Sequence, residues 1–313
     1  MRSCLIGGAG LIGSYLSPVL RASGREVVIL DPRVPRDRLP GVEHVAGHYE
    51  DADLFARTLA GCDEWIDLAY ATQPKTSFED PVHDLMGNVP AAVALFKRAL
   101  ENDRLRRVLF VSSGGTVYGP VAHWPIAETA ATLPISPYGI TKLTIEKYAF
   151  MFHRTHGLPA LVVRPGNAYG PGQAPFTGQG FIATAIGSAL RGNPVPVFGG
   201  GNTVRDYLYA EDLARGILAV LDQGQPGEAY NLGTGVGLSN MQVLDALAPI
   251  ARDHGREVTI DHQPARGFDV PVNVLDISKV KLATGWRPLM PFAEGLARTW
   301  DAIAATFSPS SPG

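Results

Sequence analysis

Ser3-Cys-Leu-Ile-Gly7-Gly-Ala-Gly10-Leu-Ile-Gly13 decides how this chain of 313 residues is read. A short apolar strand over 3–6 runs directly into glycines at positions 7, 10 and 13, and an apolar-periodic helix over 12–23 follows. Glycine at such a turn lets the backbone bend sharply and come close to a pyrophosphate. The helix start supplies unpaired amide N–H groups and a partial positive charge. Gly7, Gly10, Gly13 and the first-turn residues Leu11 and Ile12 are therefore candidate dinucleotide-binding positions. Asp31 ends the next strand, about 20 residues further on, where a carboxylate accepts hydrogen bonds from both hydroxyls of an adenosine ribose. It would repel a 2′-phosphate, which favours NAD over NADP. Arg33 could pair with such a phosphate, but the simpler reading is a solvated loop charge. The first residues imitate a secretory leader, with one Arg and a short apolar stretch. Against that, the glycines keep a fixed spacing, and Tyr15 and Ser17 interrupt the apolar run.

Outward from this stretch, short apolar runs alternate with helical periods. Strands are expected over 26–30, 64–68, 107–112 and 160–164, and helices over 84–102 and 138–156. In the first of these helices, Leu85, Val89, Ala92, Val93, Phe96 and Leu100 share a face. Strands alternating with helices imply crossover connections, so the fold class is α/β, a doubly wound parallel sheet of Rossmann type. After Pro165 the texture becomes rich in Gly, Pro and Asn. Helices are expected over 181–191, 212–222, 240–254 and 292–306, with a strand and turn over 195–201 and strands over 229–232 and 257–261. This divides the chain into a dinucleotide-binding domain over 1–165 and a smaller mixed α/β substrate domain over 166–313. The two interleave, the strand near 229–232 returning to the first. Only the tail over 308–313 reads as low complexity.

Composition narrows the function. Lys plus Arg number 27 and Asp plus Glu 30, a net charge of −3 without long runs of either sign. That argues against a nucleic-acid surface or a polybasic membrane patch. No apolar run approaches the roughly 20 residues needed to cross a bilayer. Two cysteines, Cys4 and Cys62, make neither a disulfide framework nor a four-thiolate zinc site and suit a reducing cytoplasm. No metal-ligand spacing is present, so no metal is expected.

Tyr138-Gly-Ile-Thr-Lys142 sets a phenol and an ammonium at i and i+4 on one helix face. A free tyrosine, with a pKa near 10, is a poor base at neutral pH. A cation one turn away should favour the phenolate and lower that value. The pair then serves as a general base toward a sugar or alcohol hydroxyl, and Lys142 can also hold a nicotinamide ribose.

With the opening fingerprint, these residues resemble those of the extended short-chain dehydrogenases/reductases, the family of NAD-dependent nucleotide-sugar epimerases and dehydratases. The resemblance covers nearly the whole chain. It includes Leu68-Ala69, Asn88-Val89, Ser112-Ser113-Gly-Gly-Thr116-Val-Tyr-Gly119, Tyr138/Lys142, Arg164-Pro165-Gly-Asn167-Ala-Tyr-Gly-Pro-Gly172, Arg205-Asp-Tyr207 and Trp286-Arg-Pro. It implies that Leu68, Ala69, Asn88, Ser112 and Pro165 join the cofactor site. Asn167, Arg205 and Arg266 would contact a nucleotide diphosphate, Asp269 the nucleotide ribose, and Val197 the substrate. Paired donors of the arginine fork suit a diphosphate. Asn273 stands where some epimerases carry a bulky tyrosine, which hints at a roomier sugar pocket. Family dehydratases carry an Asp-Glu pair before the Val-Tyr-Gly turn, and related decarboxylases a Glu. Here Gly115-Thr116 offers no acid, which disfavours elimination and leaves epimerase chemistry resembling that of UDP-glucose 4-epimerase, with a UDP-sugar or other nucleotide sugar as substrate. The family's hydroxyl residue falls at Gly114, so Thr116 or Ser113 is the candidate to replace it. His48 and the 79–81 stretch depart from the family pattern around the cofactor. The rival readings are an NAD(P)H-dependent nucleotide-sugar ketoreductase and, in another class, a non-catalytic dinucleotide sensor. The resemblance also implies a homodimer through the helices over 85–100 and 138–156.

Overall fold

The structure, a computed structural model, describes residues 1–34, 39–48, 51–267 and 269–307. The tail over 308–313 lies outside them.

Seven parallel strands form the central sheet. Across it they run Ala229–Leu232, Ala160–Pro165, Arg107–Val111, Glu64–Asp67, Arg2–Ile6, Glu26–Asp31 and Val42–Ala46. The near-continuous apolar strands follow from burial on both faces. Val28, Leu30, Val108 and Phe110 pack into one core, and their neighbours Val27, Ile29, Leu109 and Val111 into the opposite one. The first core is covered by helices Ala52–Ala60, Pro81–Ala99 and Pro137–His156, and the second by Leu11–Ala22 and Ala210–Gln223. Chain order reverses between Arg2–Ile6 and Glu64–Asp67, and a crevice outside the carboxyl ends of strands at such a reversal is where open α/β sheets bind ligands.

A third core surrounds Trp300 and joins helices Phe181–Arg191, Asn240–Asp253 and Phe292–Thr306. Beside it Val204–Tyr209 pairs antiparallel with Gly237–Ser239 and parallel with Val272–Asn273 and Asn167–Tyr169. Val195–Phe198 pairs with Ile260–Gln263.

Two expectations need correction. Helix Pro81–Ala99 buries Asp84, Asn88, Ala92, Leu95, Phe96 and Ala99, so its inner face is rotated from the apolar stripe read in the sequence. Leu85 is exposed, because Asp84 and Asn88 occupy the inward positions nearest the crevice, and Leu100, which caps the far end of the helix, is exposed as well. The strand expected over 257–261 forms at Ile260–Gln263, where it finds a partner. Helix Pro137–His156 has clear local causes at both ends: the Ser136 hydroxyl accepts the Gly139 N–H at 3.1 Å, and Gly157 closes it at φ 71°.

Candidate active site

The crevice begins at Gly7, whose φ of +76° places it in the left-handed region. Its N–H donates to the Leu30 carbonyl at 2.8 Å. A Cβ there would stand 2.5 Å from Ala69 Cα, so glycine is what lets the two strand ends meet. Gly10 has no side chain with which to cap helix Leu11–Ala22. Asp31 is buried; its Oδ2 accepts the Ala9 N–H at 3.0 Å and its Oδ1 the Arg33 N–H at 2.8 Å. The Arg33 side chain approaches Oδ1 at 3.4 Å but remains largely exposed.

A cavity of about 690 Å³ opens here, lined by Gly7, Gly10, Asp31, Leu68, Ala69 and Asn88 among the residues expected at the cofactor. Asn88 shapes its wall: Oδ1 accepts the Ala71 N–H at 2.8 Å and Nδ2 donates to the Asp84 carbonyl at 2.6 Å. Leu11, Ile12, Gly13, Ser112, Pro165, Tyr138 and Lys142 are not on this lining. The last two reach it through Tyr70, which is. Ser112 Oγ is buried without a hydrogen-bond partner in the protein, and buried polar atoms are seldom left so. An uncapped helix start and a buried carboxylate at the end of the second strand, both on this cavity, fit a dinucleotide.

Tyr138 and Lys142 share the first turns of helix Pro137–His156. The buried Lys142 Nζ donates to the Val111 carbonyl at 2.9 Å and lies 4.0 Å from the Tyr70 ring centroid, against 5.7 Å from that of Tyr138. The rings of Tyr70 and Tyr138 meet edge to face at 4.8 Å. Burial pushes the Lys142 ammonium down to about 8, opposed by the charges of Asp67, Glu146 and Asp84. Burial raises the Tyr138 phenol well above its ordinary value, and the Asp84 charge raises it further. The expected lowering by Lys142 is thus reversed. Helical spacing brings the two residues together, but the amine is turned to a carbonyl and another ring.

The family's hydroxyl position is closed. A Cβ on Gly114 would meet Leu275 Cδ1 at 2.7 Å and the Arg164 carbonyl oxygen at 2.9 Å. Ser113 precedes the short helix Gly114–Val117 without making a side-chain cap, and Thr116 Oγ1 is buried and unpartnered. Asn273 does not open a pocket: it is buried, with Nδ2 donating to the Gly114 carbonyl at 2.9 Å and Oδ1 unpartnered.

Asn273 pairs in register with Arg205, which links this turn to a cationic group. Arg205 Nη1 donates to the carbonyls of Val204 at 2.9 Å and Val270 at 2.7 Å. Burial pushes its pKa down, and it senses both Asp269 and Arg266. Arg266 stacks 3.9 Å above the Phe198 ring and pairs with Asp269 at 3.1 Å. The structure therefore brings Arg205, Arg266 and Asp269 together. Asn167 Oδ1 lies 3.4 Å from where a Gly115 Cβ would stand. Val197 is different: its side chain is buried in the Trp300 core, not presented to a substrate. Sequence reading passed over Tyr70, Thr72, Asp84 and Thr141, which carry no local motif and converge only in the fold. Among the described residues no group of three or more His, Cys, Asp or Glu could hold a metal, and no helix is long and apolar enough to cross a membrane.

Comparison with known proteins agrees with this geometry. The UDP-glucose 4-epimerase of Mycolicibacterium smegmatis is 32% identical over 96% of this chain and 97% of its own. A dTDP-glucose 4,6-dehydratase of Streptomyces antibioticus is 33% identical over 96% of this chain and 92% of its own. The crystal structure of UDP-glucose 4-epimerase from Thermotoga maritima, with UDP-glucose, superposes with a TM-score of 0.91 at 32% identity, covering 98% of this chain and 99% of that one. Residues 4–233 match the NAD dependent epimerase/dehydratase family, and the chain belongs to that family of enzymes.

Proposed function

We propose that the protein epimerises a nucleotide-linked sugar, a UDP-hexose at C4, through a 4-keto intermediate. The observation that carries this reading is a half-buried Tyr138 one turn from a buried Lys142 beside the crevice, next to a Gly114–Val117 turn with no carboxylate of its own. Gly7, Gly10 and the first-turn amides would hold the pyrophosphate of NAD, Asp31 its adenosine ribose, and Lys142 its nicotinamide ribose. When bound, NAD supplies the acceptor and donor for a hydride. Once ionised, Tyr138 takes the C4 hydroxyl proton as general base and later returns it. Thr116, with Ser113 beside it, supplies the hydroxyl that orients the sugar oxygen. Asn167, Arg205 and Arg266 grip the diphosphate and Asp269 the ribose, so the sugar turns while the nucleotide stays fixed.

Relatives include both 4-epimerases and dehydratases. Gly115 and Thr116 favour the former, because elimination needs an acid to protonate the departing hydroxyl. The test is chromatography after incubation with UDP-, dTDP- and GDP-sugars. Isomerised sugar without net change in nicotinamide absorbance is expected. Stoichiometric NADH loss would point to a reductase, and a dehydrated product to a dehydratase. Tyr138→Phe should cost about 10²–10⁴ in turnover; a sensor would be indifferent to it.

The exposed apolar residues of helices Pro81–Ala99 and Pro137–His156 support a homodimer through that face, and two buried thiols suit the cytoplasm.

A further inference from the structure

Behind the Tyr138–Lys142 pair lies a carboxylate to which the mechanism above gives no role. We infer that Asp84 is a positioning residue for the reaction, an enclosed anion that fixes the catalytic helix and serves as counter-charge to Lys142. Asp84 stands in the first turn of helix Pro81–Ala99 and is fully buried. Its Oδ2 accepts the Thr141 hydroxyl at 2.6 Å, and its Oδ1 accepts that of Thr72. Thr141 immediately precedes Lys142. Thr72 follows Tyr70 by two residues, and the Tyr70 ring covers Lys142 Nζ. One carboxylate thus joins three segments: its own helix, the chain leaving strand Glu64–Asp67, and the catalytic helix.

Hydrogen bonding alone would not require a charge here. Two hydroxyls donate to the carboxylate, but neither neutralises it, and an isolated buried anion is strongly disfavoured. The titratable groups facing it are the phenols of Tyr70 and Tyr138 and the ammonium of Lys142. Lys142 in turn faces Asp67 from the neighbouring strand and Glu146 from its own helix. Glu146 is already matched by Arg164 at 2.6 Å, and Asp67 Oδ1 accepts the Ala69 N–H at 3.2 Å. Asp84 is the carboxylate that also touches the Tyr138–Lys142 segment directly, through Thr141. Burial drives the Lys142 proton off, and the charges of Asp67, Glu146 and Asp84 together hold it on. The same charge keeps Tyr138 protonated until something positive approaches, which makes the phenolate, once formed, a stronger base.

The inference rests on Tyr138 and Lys142 being the reacting pair, but its readout needs no turnover. Lysine labelled with carbon-13 is incorporated, and the Lys142 signal is identified by its loss in Lys142→Met. In the wild type this signal should titrate near 8. In Asp84→Asn, folded by circular dichroism, the midpoint should fall by about one unit, with kcat reduced and KM held. An unmoved midpoint in folded Asp84→Asn would reduce Asp84 to a structural residue and overturn the inference. Should that variant fail to fold, Thr141→Val removes a donor while leaving the anion, and the midpoint should rise; no rise overturns the inference equally. A shifted titration in a protein inactive on every nucleotide sugar would defeat the reaction assignment and leave this linkage standing.

Discussion

A side chain at position 114 has nowhere to go. Two of the three atoms it would strike belong to Leu275, and the third is the Arg164 carbonyl oxygen, which lies in a central strand and cannot yield. Restoring the family's hydroxyl by Gly114→Ser should therefore cost about 1–3 kcal/mol through overpacking, read as a lower urea midpoint, with no gain in turnover. A variant as stable as wild type and faster would show that the loop opens and that Thr116 is not the replacement. The same scale shows what was legible. Tyr138 and Lys142 are four residues apart, so helical geometry alone announces them. Asp84 and Thr141 are 57 residues apart, and no local pattern reports a contact made only when two helices pack. Spacing also fails to report burial, which together with the Asp84 charge makes the Tyr138 shift opposite to the expected one.

Strand Ala160–Pro165 and helix Pro137–His156 are locked by an enclosed ion pair. Arg164 donates through Nε and Nη2 to both oxygens of Glu146, the shortest contact being 2.6 Å, and through Nη1 to the Tyr118 hydroxyl at 2.9 Å. Tyr118 passes the connection to Asn231 Oδ1 at 2.7 Å, on the next strand. Glu146→Gln leaves the guanidinium buried without its counter-charge, and such losses run to about 3–5 kcal/mol. Equilibrium denaturation should register most of that, whereas replacing both partners with apolar residues of similar volume should recover much of it. A loss in Glu146→Gln no larger than that of an exposed pair, under about 1 kcal/mol, would mean that water reaches the pair. Elements differ in how openly the sequence declares them. The inner strands are apolar on both faces and read as unbroken runs. Val42–Ala46 is an edge strand without a buried residue, and Val204–Tyr209 carries Arg205 and Asp206 in its middle and depends on partners distant in sequence; neither was expected.

At the scale of the whole molecule, two helices that build the site from their inner faces are apolar on their outer ones. Val82 is 69% exposed, Met86 61% and Ile140 51%, and Leu85, Tyr148 and Met151 extend the patch. Val82 and Met86 are one turn apart, as are Met151 and Tyr148, so each helix presents a stripe, and the helices pack side by side. Contiguous apolar surface of this kind marks an association site when it exceeds what monomers ordinarily expose, and a stable pair buries about 1,200–2,000 Å² in total. Burying a carboxylate in each stripe should prevent pairing. Sedimentation should give the mass of two chains for the wild type and of one for the Val82→Glu, Ile140→Glu double variant. A double variant that still sediments as two chains places the interface elsewhere. The helices also carry Asp84, Asn88, Tyr138 and Lys142 on their opposite sides, and pairing would hold both helices against the sheet. Turnover per site in the monomeric variant should accordingly fall although no site residue is altered, and wild-type turnover per site should fall on dilution below the dissociation constant.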